Sequence, residues 1–161
     1  MTKKADFNAD EWATIVEAPV LAGMRVVTAG RGGTIREGLA LGQVYAKARQ
    51  GEGDSELLDA IVASPPAVDP KRLQEGGDVK QASSARLMEA LRIVQEKGTP
   101  EEAEAYKGFV LTLARAVAEA HKEGGFAGIG GKPVSDEEQA ALDEIAATLG
   151  TPPPTREDNL R

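Results

Sequence analysis

Apolar residues recur at helical spacing through most of the chain, and no stretch alternates long enough to suggest a strand. Asn8 stands as an N-cap with Glu11 at the third helical position, and Phe7 and Trp12 flank that cap as a hydrophobic staple. The helix opened there is expected over 9–17, followed by a kink or tight break, because Pro19 lacks an N–H and its ring crowds a helix interior. A second helix is expected over 19–29, ended by Gly30, Gly32 and Gly33. A third, over about 35–49, stops at Gly51 and Gly53, and Asp54 caps a short one over about 55–63 ahead of Pro65 and Pro66. The stretch 64–77 reads as a long connection with one helical turn, Asp69 its cap and Pro70 its first position. A helix over about 78–97 follows, with Val79, Leu87, Leu91 and Val94 on one face and Gly98 at its end. Thr99-Pro100-Glu101-Glu102 then forms a capping box, opening a helix to about Lys122. Tyr106, Val110, Leu113, Val117 and Ala120 make its apolar face. Leu142, Ile145 and Leu149 are the stripe of a last helix that Gly150 terminates.

One pattern occurs twice in this series. Arg25 opens a small-residue helix, a glycine break, and the start signal Thr34-Ile35-Arg36-Glu37; Arg115 opens the same succession, ending in Ser135-Asp136-Glu137-Glu138. The helices before the break align at an offset of 115 − 25 = 90 and those after it at 138 − 37 = 101, so the second loop carries 11 extra residues. The expected fold is therefore all-α, a bundle of about 6–8 helices built from two pseudo-symmetric helical hairpins. Residues 1–150 are expected to form one domain, with halves over about 9–63 and 78–150, and 151–161 a proline-rich extended tail.

Composition agrees. Hydrophobic residues are 41% of the 161 but aromatics only 4%, so the core is built of Ala, Leu and Val, which suits close-packed helices better than sheets. A net charge of −7 opposes a broad nucleic-acid footprint or adhesion to an anionic membrane. The absence of cysteine excludes disulfides, thiolate metal sites and a Cys nucleophile, and suits a reducing cytoplasm. Lys3 and Lys4 are followed by no apolar core of a signal peptide, and no uninterrupted apolar run reaches the ~20 residues of a spanning helix, so no membrane insertion is expected.

The loop Gly124 to Pro133 invites a phosphate-binding reading, but a P-loop requires glycine where Phe126 stands and Ser or Thr where Pro133 stands. A helix also precedes it where the dinucleotide fingerprint requires a strand. Phe126 and Ile129 instead read as apolar plugs that fold the loop onto the bundle or serve a partner as anchors, with Gly128 and Lys132 beside them. Exposing either plug would forfeit about 1.5–3 kcal/mol of burial.

His121, the single histidine, has Glu119 and Glu123 as neighbours, and Asp136 or Glu137 lies across the hairpin. A histidine with carboxylates suits zinc or iron. Yet Glu119 and Glu123 share a face from which His121 is turned away, and a histidine in a last turn also suits the helix dipole. The acidic groups Glu101, Glu102, Glu104 and Asp136, Glu137, Glu138 fall in first helical turns, where the dipole favours negative charge. Ser83 and Ser84 lack a G-x-S-x-G elbow, and no nucleophile stands with a base.

Two helix, glycine-break, (S/T)-x-x-E, helix units in one acidic helical chain resemble the tellurite-resistance TerB family over about 25–46 and 115–149. The resemblance implies paired hairpins about a pseudo-twofold axis and an acidic surface that binds cations. Such domains carry an Ala-Asp-Gly step whose aspartate belongs to that surface; here the stretches are Ala29-Gly30-Arg31 and Ala120-His121-Lys122, without it. Glu37 and Glu138 match the glutamate of the pattern. The segment 117–150 also resembles uncharacterised bacterial proteins with an EGGF-x-G-x-GG loop before V-S-x-x-E, which implies no activity.

The expected function is that of a non-catalytic cytoplasmic helical domain acting through protein contacts or self-association, in a stress-response setting, with Phe126, Gly128, Ile129 and Lys132 as the partner surface. The alternative is a TerB-like sensor of a divalent cation or small anion, with Glu119, Glu123 and Glu138 as metal ligands. An enzyme with a helical-bundle pocket is the third reading. No cofactor is expected beyond that cation, and no nucleic-acid partner.

Overall fold

The computed structural model describes residues 1–29, 35–50, 55–64, 79–122 and 134–152, with all their side chains except those of 35–40, 79 and 120–122. These residues form an all-α bundle: α1 (Ala9–Ala29), α2 (Ile35–Gln50), α3 (Glu56–Ala63), α4 (Val79–Lys97), α5 (Pro100–Lys122) and α6 (Asp136–Leu149), preceded by a 3₁₀ turn at Lys4–Asp6. No strand occurs among the described residues.

Helix starts follow the local chemistry. Asn8 Oδ1 accepts from Glu11 N at 2.9 Å while Glu11 Oε2 accepts from Asn8 N at 2.8 Å, and Thr99 with Glu102 and Ser135 with Glu138 close the same reciprocal pair. The Phe7 and Trp12 rings stand 5.9 Å apart across the first cap, as the staple requires. At the start of α3 the cap is Ser55 and not the expected Asp54: the Ser55 hydroxyl accepts from Leu58 N at 3.2 Å, which places the first helical residue at Glu56. Gly150 ends α6 at φ 68°, the left-handed conformation that releases the chain from the helix.

Of the kink or tight break expected at Pro19, the break does not occur. α1 runs unbroken from Ala9 to Ala29 with Pro19 inside it and buried. The Ile15 carbonyl, four residues earlier, is the group a prolyl nitrogen cannot serve, and the Tyr106 hydroxyl on α5 donates to it at 2.8 Å. A tertiary donor thus supplies what the sequence of α1 lacks.

α1 and α5 are the central pair. α1 packs on α4, α5 and α6, while α2 packs on α5 and α3. Each second helix of the duplicated pattern thereby rests on the first helix of the other half, so the halves interleave. α1 meets α2 closely at Gly23, where a Cβ would stand 2.9 Å from Leu41 Cδ2. Of the expected core, Leu87, Leu91, Val94, Tyr106, Val110, Leu113, Val117, Leu142, Ile145 and Leu149 are all buried, while the side chains of Val79 and Ala120 lie outside the described ones. Ile15, Ala18, Ala22 and Val26 complete it from α1. By length and composition α1 is, against the expectation, apolar enough to cross a membrane, with half of its most apolar window buried in the bundle.

Polar groups fix the relative placement of the helices. Glu144 on α6 bonds Arg25 on α1 at 3.0 Å and Lys80 on α4 at 2.8 Å. The buried Glu102 carboxylate accepts from Thr2 N at 2.9 Å and Thr2 Oγ1 at 2.6 Å, as well as from Thr99 N. A glutamate placed by the helix dipole is therefore also the anchor of the N-terminal segment.

Candidate functional site

α5 presents two apolar stripes. Tyr106, Val110, Leu113 and Val117 face the core. Ala105, Phe109, Thr112, Ala116 and Glu119 follow a second line at helical spacing, and this line forms one wall of a groove of about 660 Å³. The opposite wall comes from α2, through Gln43, Val44, Lys47 and Ala48, and Leu58 of α3 closes one side.

Local structure holds these walls in place. Leu57, Ile61 and Val62 bury the inner face of α3, and Arg49 Nε donates to the Val62 carbonyl at 2.8 Å, tying the end of α2 to the end of α3. Tyr45 of α2 meets Phe109 edge-on, with centroids 5.4 Å apart and planes at 87°. Phe109 is thereby fixed as the floor. Of the lining side chains it alone is buried, and the others are partly or fully open to solvent.

Two polar atoms at this locus lie buried without a partner: Tyr45 Oη and Arg115 Nε. Burial pushes the Tyr45 hydroxyl up to about 12, so it stays protonated at neutral pH. Among the described residues, Lys3, Arg25, Lys80, Arg86, Arg92, Lys97 and Lys107 form ion pairs with carboxylates. Arg49 has its carbonyl, and the Lys4 ammonium lies 5.4 Å from the Trp12 ring centroid. Among the described residues, the lysine and arginine side chains without any such contact are Lys47 and Arg115, and both line the groove.

The candidate metal ligands that are described, Glu119 and Glu138, stand on different helices, α5 and α6. Glu119 is exposed at the rim of this groove. Glu138 is buried at the start of α6, where its Oε2 accepts from Ser135 N at 2.9 Å in the capping box. Asp136 and Glu137 are exposed beside it. Glu123, Phe126, Gly128, Ile129 and Lys132, together with the side chains of Glu37 and His121, lie outside what the structure describes. No group of three or more His, Asp or Glu side chains among the described residues is arranged to hold a metal ion. Lys47, Phe109 and Arg115 escaped sequence reasoning. The available signal was the run of small and apolar residues beside the core stripe of α5, which makes its apolar arc wider than one packing face requires.

In comparisons with known proteins, no family model matches the chain, and neither does any curated protein or any solved structure.

Proposed function

We propose that this chain is a non-catalytic helical binding module whose working surface is the groove between α2, α3 and α5. The observation that carries the reading is the convergence of partly exposed apolar side chains, Val44, Ala48 and Leu58, from two helices onto a floor fixed by Phe109. Apolar surface left open and rimmed by polar groups is where protein partners gain burial. Among its described lining residues no nucleophile is paired with a base, and the acid there, Glu119, is solvent-exposed, without the low-polarity surroundings that tune a catalytic carboxylate. A TerB-like role as a cation sensor gains no support from Glu138, whose carboxylate serves the helix cap.

The test is affinity capture with the full chain and with Ala116→Arg, which fills the groove from its α5 wall. A partner retained by the wild type and lost from the variant, with melting temperature unchanged, is the expected result. Equal retention by both would overturn the assignment of the groove and return attention to Phe126 and Ile129.

A further inference from the structure

From the groove's charge and shape, we infer that its partner is an acidic amphipathic α-helix, laid along α5 with a carboxylate on Arg115 and Lys47. The inference rests on the groove being the binding surface and adds the chemistry of what it binds.

Charge is the first argument. The chain carries a net −7, yet the described residues of the groove rim hold two cations, Lys47 and Arg115, against one carboxylate, Glu119. Elsewhere among the described residues each lysine and arginine has a carboxylate, carbonyl or ring partner, as set out above. Lys47 and Arg115 have none, and Arg115 Nε is shielded from water as well. Arg115 as a whole is partly exposed, so a carboxylate arriving with the partner gives its guanidinium an acceptor that the bundle does not supply. Arginine offers the planar fork that carboxylates match.

Shape is the second argument. The stripe from Ala105 to Glu119 covers fourteen helical steps, about 21 Å at the helical rise. It is flanked by a second helix, and its wall includes the small alanines 105 and 116, which let another backbone approach closely. A partner helix of about 14 residues would match that length, with apolar side chains at i, i+3, i+4 and i+7 between the walls. A small ligand is normally enclosed over most of its surface, whereas this groove is open along its length, with all its lining side chains except Phe109 reaching solvent.

The experiment is selection of a phage-displayed library of random 16-residue peptides on the full chain, with Ala116→Arg as counter-target. Groove-dependent binders should share apolar residues at helical spacing and at least one Asp or Glu beside them. Their synthetic forms should be helical when bound. Arg115→Gln with Lys47→Gln should weaken them at least about tenfold, the loss of one charge-assisted contact, and raised salt should weaken the wild-type complex alone. Groove-dependent binders indifferent to the double substitution, or bound in extended form, would overturn the acidic-helix assignment while leaving the groove as the binding surface. Absence of any groove-dependent binder would overturn both. Sedimentation of the free chain distinguishes self-association: a dimer abolished by Ala116→Arg and kept by the double substitution would replace the acidic helix with a second copy as the occupant.

Discussion

The Tyr106 hydroxyl donates a 2.8 Å hydrogen bond to the carbonyl of Ile15, the acceptor that Pro19 leaves without a helical donor. Tyr106 is almost wholly buried, and burial holds its hydroxyl well above the usual phenol range, so it is a donor at neutral pH. Removing it strands the Ile15 carbonyl in the core. Tyr106→Phe is expected to cost about 1–3 kcal/mol, measured as a lowered urea midpoint. In a Pro19→Ala background, where residue 19 regains its N–H, the same substitution should cost less. A double-mutant cycle with no coupling would show that the hydroxyl does not compensate for the proline.

Tyr45 supplies the contrast. Its hydroxyl is buried without a partner, so Tyr45→Phe removes an unsatisfied group and keeps the ring against Phe109. Stability is expected to hold or rise, by up to about 1 kcal/mol. The same chemical change at two tyrosines should therefore have opposite signs in thermal melts.

Two carboxylates make the bundle acid-sensitive. Burial works to raise the pKa of Glu102, but hydrogen bonds from Thr2 and Thr99 outweigh it and hold the group below 4.5. Glu144 is held below 4.5 first by its hydrogen bond to Lys80, against a smaller opposing effect of burial, and further by Arg25. A pKa depressed in the folded state gives stability that is complete above the unfolded value and lost as pH falls through the folded one. Urea midpoints should thus be flat near neutrality and decline below about pH 4.5. Glu102→Gln should lower the midpoint at neutral pH, with the gap from wild type narrowing toward about pH 3, below the ordinary carboxylate range. A gap that stayed constant with pH would contradict the anchoring role of the ionised carboxylate.

Glycines separate by surroundings. A Cβ at Gly108, exposed in mid-α5, meets nothing within 4 Å, so Gly108→Ala should stabilise by about 0.4–1 kcal/mol through the lost freedom of the unfolded chain. A Cβ at Gly98 would stand 2.7 Å from the Val94 carbonyl oxygen, backbone that yields only by shifting the end of α4. Gly98→Ala is expected to destabilise by about 1–3 kcal/mol. Differential scanning calorimetry of the two variants checks the ordering, each kcal/mol moving the melting temperature about 2–4 °C in a chain of this size.

Local chemistry determined what could be read from the residues alone. The boxes at Asn8, Thr99 and Ser135, the staple of Phe7 on Trp12 and the stop at Gly150 each involve residues a few positions apart, and each is found where the spacing puts it. The apolar stripes of α4, α5 and α6 were legible for the same reason, since one helical period decides which side chains share a face. What lay beyond reach depends on residues far apart in the chain. Pro19 reads as a break until Tyr106, on another helix, satisfies the freed carbonyl. Glu102 reads as a dipole charge until Thr2 arrives 100 residues away in sequence. Nothing in their own segments marks out Lys47 and Arg115; α2 and α5 come together over Phe109 and leave both without an acceptor. Hydrogen bonds and helical periodicity within a segment are set by the sequence of that segment. Whether a polar group is satisfied or stranded is set by what the tertiary packing brings beside it, and only the folded bundle decides that.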